Sequence, residues 1–236
     1  MKVSVIIPAY NEEKDIGKCL KSIKENKYKN FDVIVVDAGS TDKTIEIAKE
    51  YTDRVLSVHT SAPGPARNIG VKESDAEVVA FTDADTVVAA NWVAEMAAKF
   101  TDPDVVGVGG VLRPLEPRLL DKIMFKINSD LWYRFTAIFG FFQLGTPNCA
   151  YRRDAFLEVG GFDETMSMLE DTELSLRMGR EKRGKIIIDK SLIAYNSARR
   201  FKQEGYLRVF LRYLKAYFNM FTKRGVKSEH FDVIDH

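Results

Sequence analysis

Apolar residues along the first 112 positions keep two rhythms. Compact β-branched and aromatic runs predict strands at 3–8, 31–37, 54–59, 76–82 and 104–112. Between them, apolar residues three and four apart predict amphipathic helices at 13–26, 42–51, 65–73 and 91–100. Strand–helix alternation of this kind implies an α/β domain, a mostly parallel open sheet flanked by helices. In such sheets ligands bind outside the carboxyl ends of the strands. Asp37, Arg67, Asp83 and Asp85 all fall just after a predicted strand or at a helix start, so they are expected around one crevice.

The second half changes rhythm. Residues 118–143 form an apolar, aromatic segment, 145–153 reads as extended, and Gly160-Gly161-Phe162-Asp163-Glu164 as a turn. A helix is expected at 171–182, a short strand pair at 185–188 and 192–196, and a last helix at about 203–222. With no internal repeat or low-complexity linker, the expected organisation is one domain over 1–200, divided near residue 112. A helix and tail over 201–236 follow it.

Composition narrows the class. A hydrophobic content of 45% over 236 residues supports a globular domain. Cys19 and Cys149 stand apart, with no CxxC or His/Cys cluster, which argues against a zinc site and suits a reducing compartment. The chain opens on a strand rather than a secretory segment. It has no run of about 18 uncharged apolar residues, so a cytoplasmic protein without a membrane span is expected. The net charge of +1 conceals a split: 13 Lys+Arg against 18 Asp+Glu over 1–112, then 22 against 16 over 113–236. Basic charge gathered in the second half suits an anionic surface or phosphate partner, and nothing points to nucleic acid. His59 on a predicted strand, with His230 and His236 in the tail, makes a poor catalytic candidate set.

The candidate chemistry centres on Thr82-Asp83-Ala84-Asp85-Thr86. Carboxylates at i and i+2 leaving a buried strand together can share one hard cation through oxygen ligands, although the same pattern also makes a solvated turn. Pro8 closes the first strand. Beyond it Tyr10 and Glu12 can stack on and hydrogen-bond a nucleobase, or belong to a helix start capped by Asn11. Arg67 stands behind Gly64-Pro65, where a guanidinium and a helix N-terminus make an anion site. Glu170-Asp171 opens a helix, where acidic residues suit the dipole.

Five segments now stand in order: 3–13 (Val-Ser-Val-Ile-Ile-Pro-Ala-Tyr-Asn-Glu-Glu), 36–42 (Val-Asp-Ala-Gly-Ser-Thr-Asp), 64–70 (Gly-Pro-Ala-Arg-Asn-Ile-Gly), 82–86 and 170–173 (Glu-Asp-Thr-Glu). In order and spacing they resemble the family 2 glycosyltransferases, which have the Rossmann-like GT-A fold, from residue 3 to about 202. The resemblance implies a metal-dependent, inverting transferase that moves a sugar from a UDP- or GDP-linked donor to a sugar, glycolipid or polyprenyl acceptor. It assigns Pro8, Tyr10, Glu12 and Arg67 to the nucleotide sugar, and Asp37 to the nucleobase or ribose. Ala38 stands where many relatives carry a second acid, which leaves uracil or guanine open. Asp85 is implied as direct ligand of Mg²⁺ or Mn²⁺, with Asp83 on the ribose or on the metal through water. Asp171 is implied as general base, positioned with the acceptor by Glu170. The pair favours a hydroxyl, because a polyprenyl phosphate is already ionised and needs no base. Arg199 and Arg200 match a basic element near the pyrophosphate, with lipid headgroups as the alternative. A nucleotidyltransferase is a rival that lacks its Gly-rich, Arg-containing loop here. A non-catalytic nucleotide-sugar-binding protein would keep Asp37 and Arg67 without needing Asp171.

From Glu204 to Phe221, Arg208, Arg212, Lys215 and Asn219 recur at +4, +3 and +4, on one stripe of an otherwise apolar helix. Three central basic residues would cost roughly 7–10 kcal/mol to insert against roughly 3–6 kcal/mol returned, so lying on an anionic interface beats spanning. Residues 118–142 repeat the design with Arg118, Lys122, Lys126 and Arg134. Peripheral association with the inner face of the cell membrane is the expectation; packing on the core or a homo-oligomer contact is the alternative.

Overall fold

Alternate residues of the first strands point to opposite sides, and each side meets its own helices. The structure, a computed structural model, describes residues 1–60, 62–116, 118–127, 143–180 and 184–222. Strands β1 (Val3–Ala9), β2 (Phe31–Asp37), β3 (Val55–Ser57) and β4 (Val78–Phe81) alternate with helices α1 (Ile16–Lys24), α2 (Thr44–Lys49) and α3 (Pro63–Glu73). Then come β5 (Thr86–Val88), α4 (Trp92–Lys99), β6 (Val105–Pro114) and α5 (Leu119–Phe125). A 3₁₀ turn (Thr146–Asn148) leads into β7 (Cys149–Arg152), α6 (Arg153–Glu158), α7 (Glu170–Arg180), β8 (Lys185–Asn196), α8 (Arg199–Glu204) and α9 (Tyr206–Phe221). The strands form one sheet in the order β3-β2-β1-β4-β7-β6-β8-β5. Val3, Val5 and Ile7 pack with Leu20, Trp92 and Met96 on one face. On the other face Ile6, Val36 and Phe81 pack with Phe156, Phe162 and Leu174.

Parallel pairing of β1 with β2 and β4 brings three carboxyl ends to one edge, with Ala9 level with Asp37 and Ile6 level with Phe81. β7 is antiparallel to β4, so its beginning, Cys149, lies beside Phe81 and the 3₁₀ turn joins the same edge. Thr82 Oγ1 donates to Pro147 O at 3.1 Å and ties that turn to the end of β4. The expected α/β sheet is therefore present, with β5 and β7 as its antiparallel members.

Several boundaries differ from the sequence expectation. The stretch expected to be extended at 145–153 is a 3₁₀ turn and a four-residue strand, because Pro147 donates no hydrogen bond and Asn148 turns inward. Asn148 is buried, accepts from Trp92 Nε1 at 2.7 Å, and donates to Val111 O and Leu192 O at 3.0 Å each. The expected strand pair at 185–196 is one strand whose register against β6 shifts twice. The expected final helix is broken: Gly205, at φ +85°, separates α8 from α9, so Arg199 and Arg200 begin a short helix. α1 starts at Ile16 after Asp15, so Asn11 is not its cap. Of the aromatic segment, 118–127 includes α5, and 128–142, with Arg134, lies outside the described residues.

Candidate active site

Two loops build the first wall. Asn11, at φ +50°, takes the left-handed conformation that asparagine tolerates better than most residues, and its Oδ1 accepts from Thr41 N at 2.9 Å. Asn11 N donates to Ser40 Oγ at 2.8 Å and Glu12 N to Thr44 Oγ1 at 2.7 Å, which locks the loop after β1 to the loop after β2. Asp37 holds the second loop from inside: it is buried, and its carboxylate accepts from Gly39 N (3.0 Å), Ser40 N (2.9 Å) and Ser40 Oγ (2.5 Å). A cavity of about 1230 Å³ opens against these loops. Its wall here is Pro8, Tyr10, Glu12, Ala38 and Gly39, whereas Asp37 stays behind it as a shaper of the loop.

Arg67 is the centre of the site. Its side chain is 3% exposed, Nη1 donates to Glu170 Oε1 at 2.8 Å and Nη2 donates to Asp83 Oδ1 at 2.7 Å. The guanidinium expected as an anion ligand thus ties the end of β4 to the start of α7. Phe162 lies 5.8 Å from it, ring centroid to Cζ. The neighbouring Asn68 clamps the intervening loop, donating to Phe162 O (2.9 Å) and accepting from Phe162 N (2.9 Å). Gly161, at φ +70°, leaves no room for a Cβ, which would meet Asn68 Oδ1 at 2.6 Å. The Asn68 clamp escapes sequence reasoning, since its partners lie 94 positions away.

The two carboxylates after β4 are in different states. Asp83 is paired with Arg67, and its main-chain O accepts from Thr86 N at 3.1 Å and from the buried Cys19 thiol at 3.4 Å. Asp85 is half-buried and makes no hydrogen bond among the described residues. Burial, then repulsion from Asp83 and Glu12, pushes its carboxyl up to about 7 against the pull of Arg199. An oxygen-only donor set with a surplus of negative charge fits a hard divalent cation that takes its remaining ligands from substrate and water. Among the described residues, no three His, Cys, Asp or Glu side chains converge into a preformed metal cluster.

Glu170 and Asp171 open α7 after Leu169, which is held at φ +61°, a conformation that costs a branched residue about 1 kcal/mol or more. Asp171 accepts from Thr172 N at 2.7 Å and from Thr146 N at 3.3 Å. Both carboxyls are raised above the usual range by burial; the charge of Asp171 raises Glu170 further, while Arg67 opposes the shift in both. Arg199 donates from Nη2 to Glu12 Oε1 at 3.2 Å and lies 3.7 Å from Asp15 through Nη1. Glu170, Asp171, Arg199 and Arg200 all line the same cavity as Tyr10, Arg67, Asp83 and Asp85. Thr146, whose N–H turns toward Asp171, was not signalled by any motif.

These raised carboxyls predict a pH effect on the ligand-free fold. A group that binds its proton more tightly folded than unfolded stabilises at low pH and loses that contribution as pH rises from the unfolded value, about 4, to the folded one. For Asp85 the window ends near 7. The thermal midpoint should therefore fall as the pH rises from about 4 to about 7, and Asp85→Asn should flatten part of that slope in a calorimetric scan. An equal slope in the variant would dismiss the assignment to Asp85.

The model of Glycosyl transferase family 2 matches residues 4–160. TarS of Staphylococcus aureus, a poly(ribitol-phosphate) β-N-acetylglucosaminyltransferase, is 35% identical over 106 residues, 42% of this chain and 18% of TarS. The glycosyltransferase EpsJ of Bacillus subtilis is 26% identical over 219 residues, 82% of this chain and 60% of its own length. The chain thus spans only part of the length of these relatives. Among solved structures, residues 1–349 of TarS in complex with UDP-GlcNAc superpose with a TM-score of 0.66 at 26% identity, covering 84% of this chain and 59% of that one. The mannosyltransferase PcManGT from Pyrobaculum calidifontis, in complex with GDP-Man and Mn²⁺, shares the fold with a TM-score of 0.70 at 21% identity, covering 91% and 64%. Matched over more than half its length by that family model, and folded as these glycosyltransferases are, the chain belongs to glycosyl transferase family 2 and has the GT-A fold.

Proposed function

We propose that this chain transfers a glycosyl group, with inversion, from a nucleoside-diphosphate sugar to a hydroxyl acceptor, with Asp171 as general base. The observation that carries the reading is one cavity lined both by Asp85, a carboxylate without a hydrogen bond among the described residues, and by Asp171, a carboxylate held by two backbone N–H groups. The acceptor oxygen attacks the anomeric carbon as its proton passes to the Asp171 carboxylate. The bond from that carbon to the diphosphate oxygen breaks, and the nucleoside diphosphate leaves with the electron pair. One displacement inverts the anomeric centre. Burial raises the basicity of Asp171, and the N–H groups of Thr146 and Thr172 keep it oriented and ionised.

Pro8, Tyr10, Glu12, Ala38 and Gly39 make the nucleoside end, where Tyr10 is 39% exposed and offers a ring face. Asp37 acts there by shaping the loop. Asp85, with Asp83, would hold Mg²⁺ or Mn²⁺, which when bound stabilises charge on the departing diphosphate. Arg199 and Arg200 line the same cavity and would supply positive charge to that group. The Mn²⁺ and GDP-Man in the PcManGT structure and the UDP-GlcNAc in the TarS structure support this class of donor and cofactor.

The test is a thermal-shift screen of UDP and GDP with and without Mn²⁺, followed by product analysis with the matching sugar nucleotide. One diphosphate should raise the midpoint by several degrees only with metal, as mass action requires of a ligand that binds the folded state. No shift with either nucleotide would remove the proposal.

A further inference from the structure

The cavity has a second, apolar half that the donor reading leaves unused. It is walled by Met124 from α5, Ile127 just beyond it, Phe201 from α8, and Phe210, Leu214 and Tyr217 from α9. One face of α9 anchors this wall beside the chemistry: Ala216, with Tyr213, Tyr217 and Met220, packs on Met166, Met168 and Leu169, immediately before Glu170-Asp171. Tyr213 lies close enough to feel the charges of Arg200, Asp171 and Glu170. The other end of the wall reaches solvent, because Ile127, Phe210 and Leu214 line the cavity while remaining 42%, 45% and 43% exposed.

α5 and α9 are joined at that mouth. Tyr206 Oη donates to Asp121, and Phe201 bridges the helices, edge-on to Phe125 at 5.9 Å and stacked on Tyr206 at 5.4 Å. Outside the cavity the same helices expose Leu119, Leu120, Leu207, Leu211 and Phe218. Their exposed charges, Arg118, Lys122, Lys126, Arg208 and Lys215, are all basic. The nearby acids are internally spent, Asp121 on Tyr206, Glu204 on Arg212 and Glu116 on Lys202. An exposed apolar patch framed by cations, continuous with a channel that ends at a catalytic base, has the chemistry of an anionic bilayer surface. No helix of the described residues is long and apolar enough to cross a membrane, so contact from one side is the geometry available.

We propose that α5 and α9 rest on an anionic bilayer and that the apolar half of the cavity receives the hydrocarbon tail of a lipid-linked acceptor, whose hydroxyl is thereby delivered to Asp171. The assignment rests on the glycosyl-transfer reading for that hydroxyl, but the tail site can be tested apart from it. The full chain would be floated with vesicles of phosphatidylcholine and phosphatidylglycerol containing a long-chain alcohol that carries a photoactivatable diazirine. Wild type should co-float, less so in 1 M NaCl, and mass spectrometry should place adducts on Tyr213, Leu214 or Tyr217. The Leu211→Asp/Phe218→Asp variant alters exposed residues that do not line the cavity. It should lose roughly tenfold or more in vesicle partition while keeping the nucleoside-diphosphate thermal shift that certifies its fold. Absence of wild-type flotation, undiminished flotation of the variant, or adducts confined to Leu207, Leu211 and Phe218 would each overturn the proposal. Cavity adducts without any nucleotide shift would instead remove the glycosyl-transfer reading and leave the tail site standing.

Discussion

Asp171→Asn is expected to lower kcat by roughly 10²–10⁴-fold, the usual contribution of a positioned general base. Binding of the nucleoside diphosphate should stay within about twofold, since the wall proposed for the nucleoside lies at the ends of β1 and β2. Asparagine keeps the size and one acceptor, so the 2.7 Å bond from Thr172 N survives and the start of α7 keeps its shape. What disappears is the carboxylate proposed to take the acceptor proton. Glu170 does not replace it, because Glu170 Oε1 is held by Arg67 and the side chain is buried. The acidic limb of the pH–rate profile should vanish along with the rate. Removing the Asp171 charge also lets the Glu170 carboxyl drop towards its ordinary range, because repulsion from that charge helps to raise it. Steady-state kinetics with the matched donor, beside a nucleotide thermal shift, separates the possibilities. Transfer that persists within a few-fold would mean an acceptor already ionised, such as a phosphate, and would end the assignment of Asp171 as base.

Much of this site was legible because it is built on strand ends. The runs before Pro8, Asp37 and Thr82 are apolar enough to mark parallel buried strands, and parallel strands put their carboxyl ends on one edge. Position along the chain therefore indicated position in space for Tyr10, Glu12, Asp83 and Asp85. Partnership was not legible. Asp37 lies at a strand end like Asp83, yet the short Gly39-Ser40 turn folds its N–H groups back onto the carboxylate and withdraws it from the cavity. Arg67 looked like an anion ligand from its helix start, because the carboxylate it meets across 103 positions belongs to the other half of the chain. α9 showed a stripe of basic residues, but the face that packs is Val209, Tyr213, Ala216 and Met220. Such a helix is apolar on more than one side, and periodicity alone does not decide which side the core takes.

Removing Arg67 should have the largest effect on the fold itself. Arg67→Met keeps the length of the stem but deletes a cation that is 3% exposed and hydrogen-bonded to two carboxylates. Breaking a buried ion pair from one side costs about 3–5 kcal/mol, because the partner charge stays behind uncompensated. For a chain of this size that corresponds to a fall of roughly 10 °C in thermal midpoint. Arg67→Lys restores charge without the fork, since one ammonium does not replace two parallel nitrogen donors aimed at Glu170 and Asp83. It should recover part of the stability while transfer remains depressed. A pH profile of Arg67→Lys at saturating donor distinguishes a positioning role from a merely structural one. Arg67 lowers the carboxyls of both Glu170 and Asp171, so any variant that weakens its hold raises them. The acidic limb of activity should then move to higher pH, because the base stays protonated further up the scale. The rival role, a direct ligand of the diphosphate, predicts a different signature: a raised KM for the donor, an unmoved pH limb and a thermal midpoint near that of the wild type. A donor KM raised tenfold with unchanged stability would return Arg67 to the nucleotide and dissolve the link between β4 and α7.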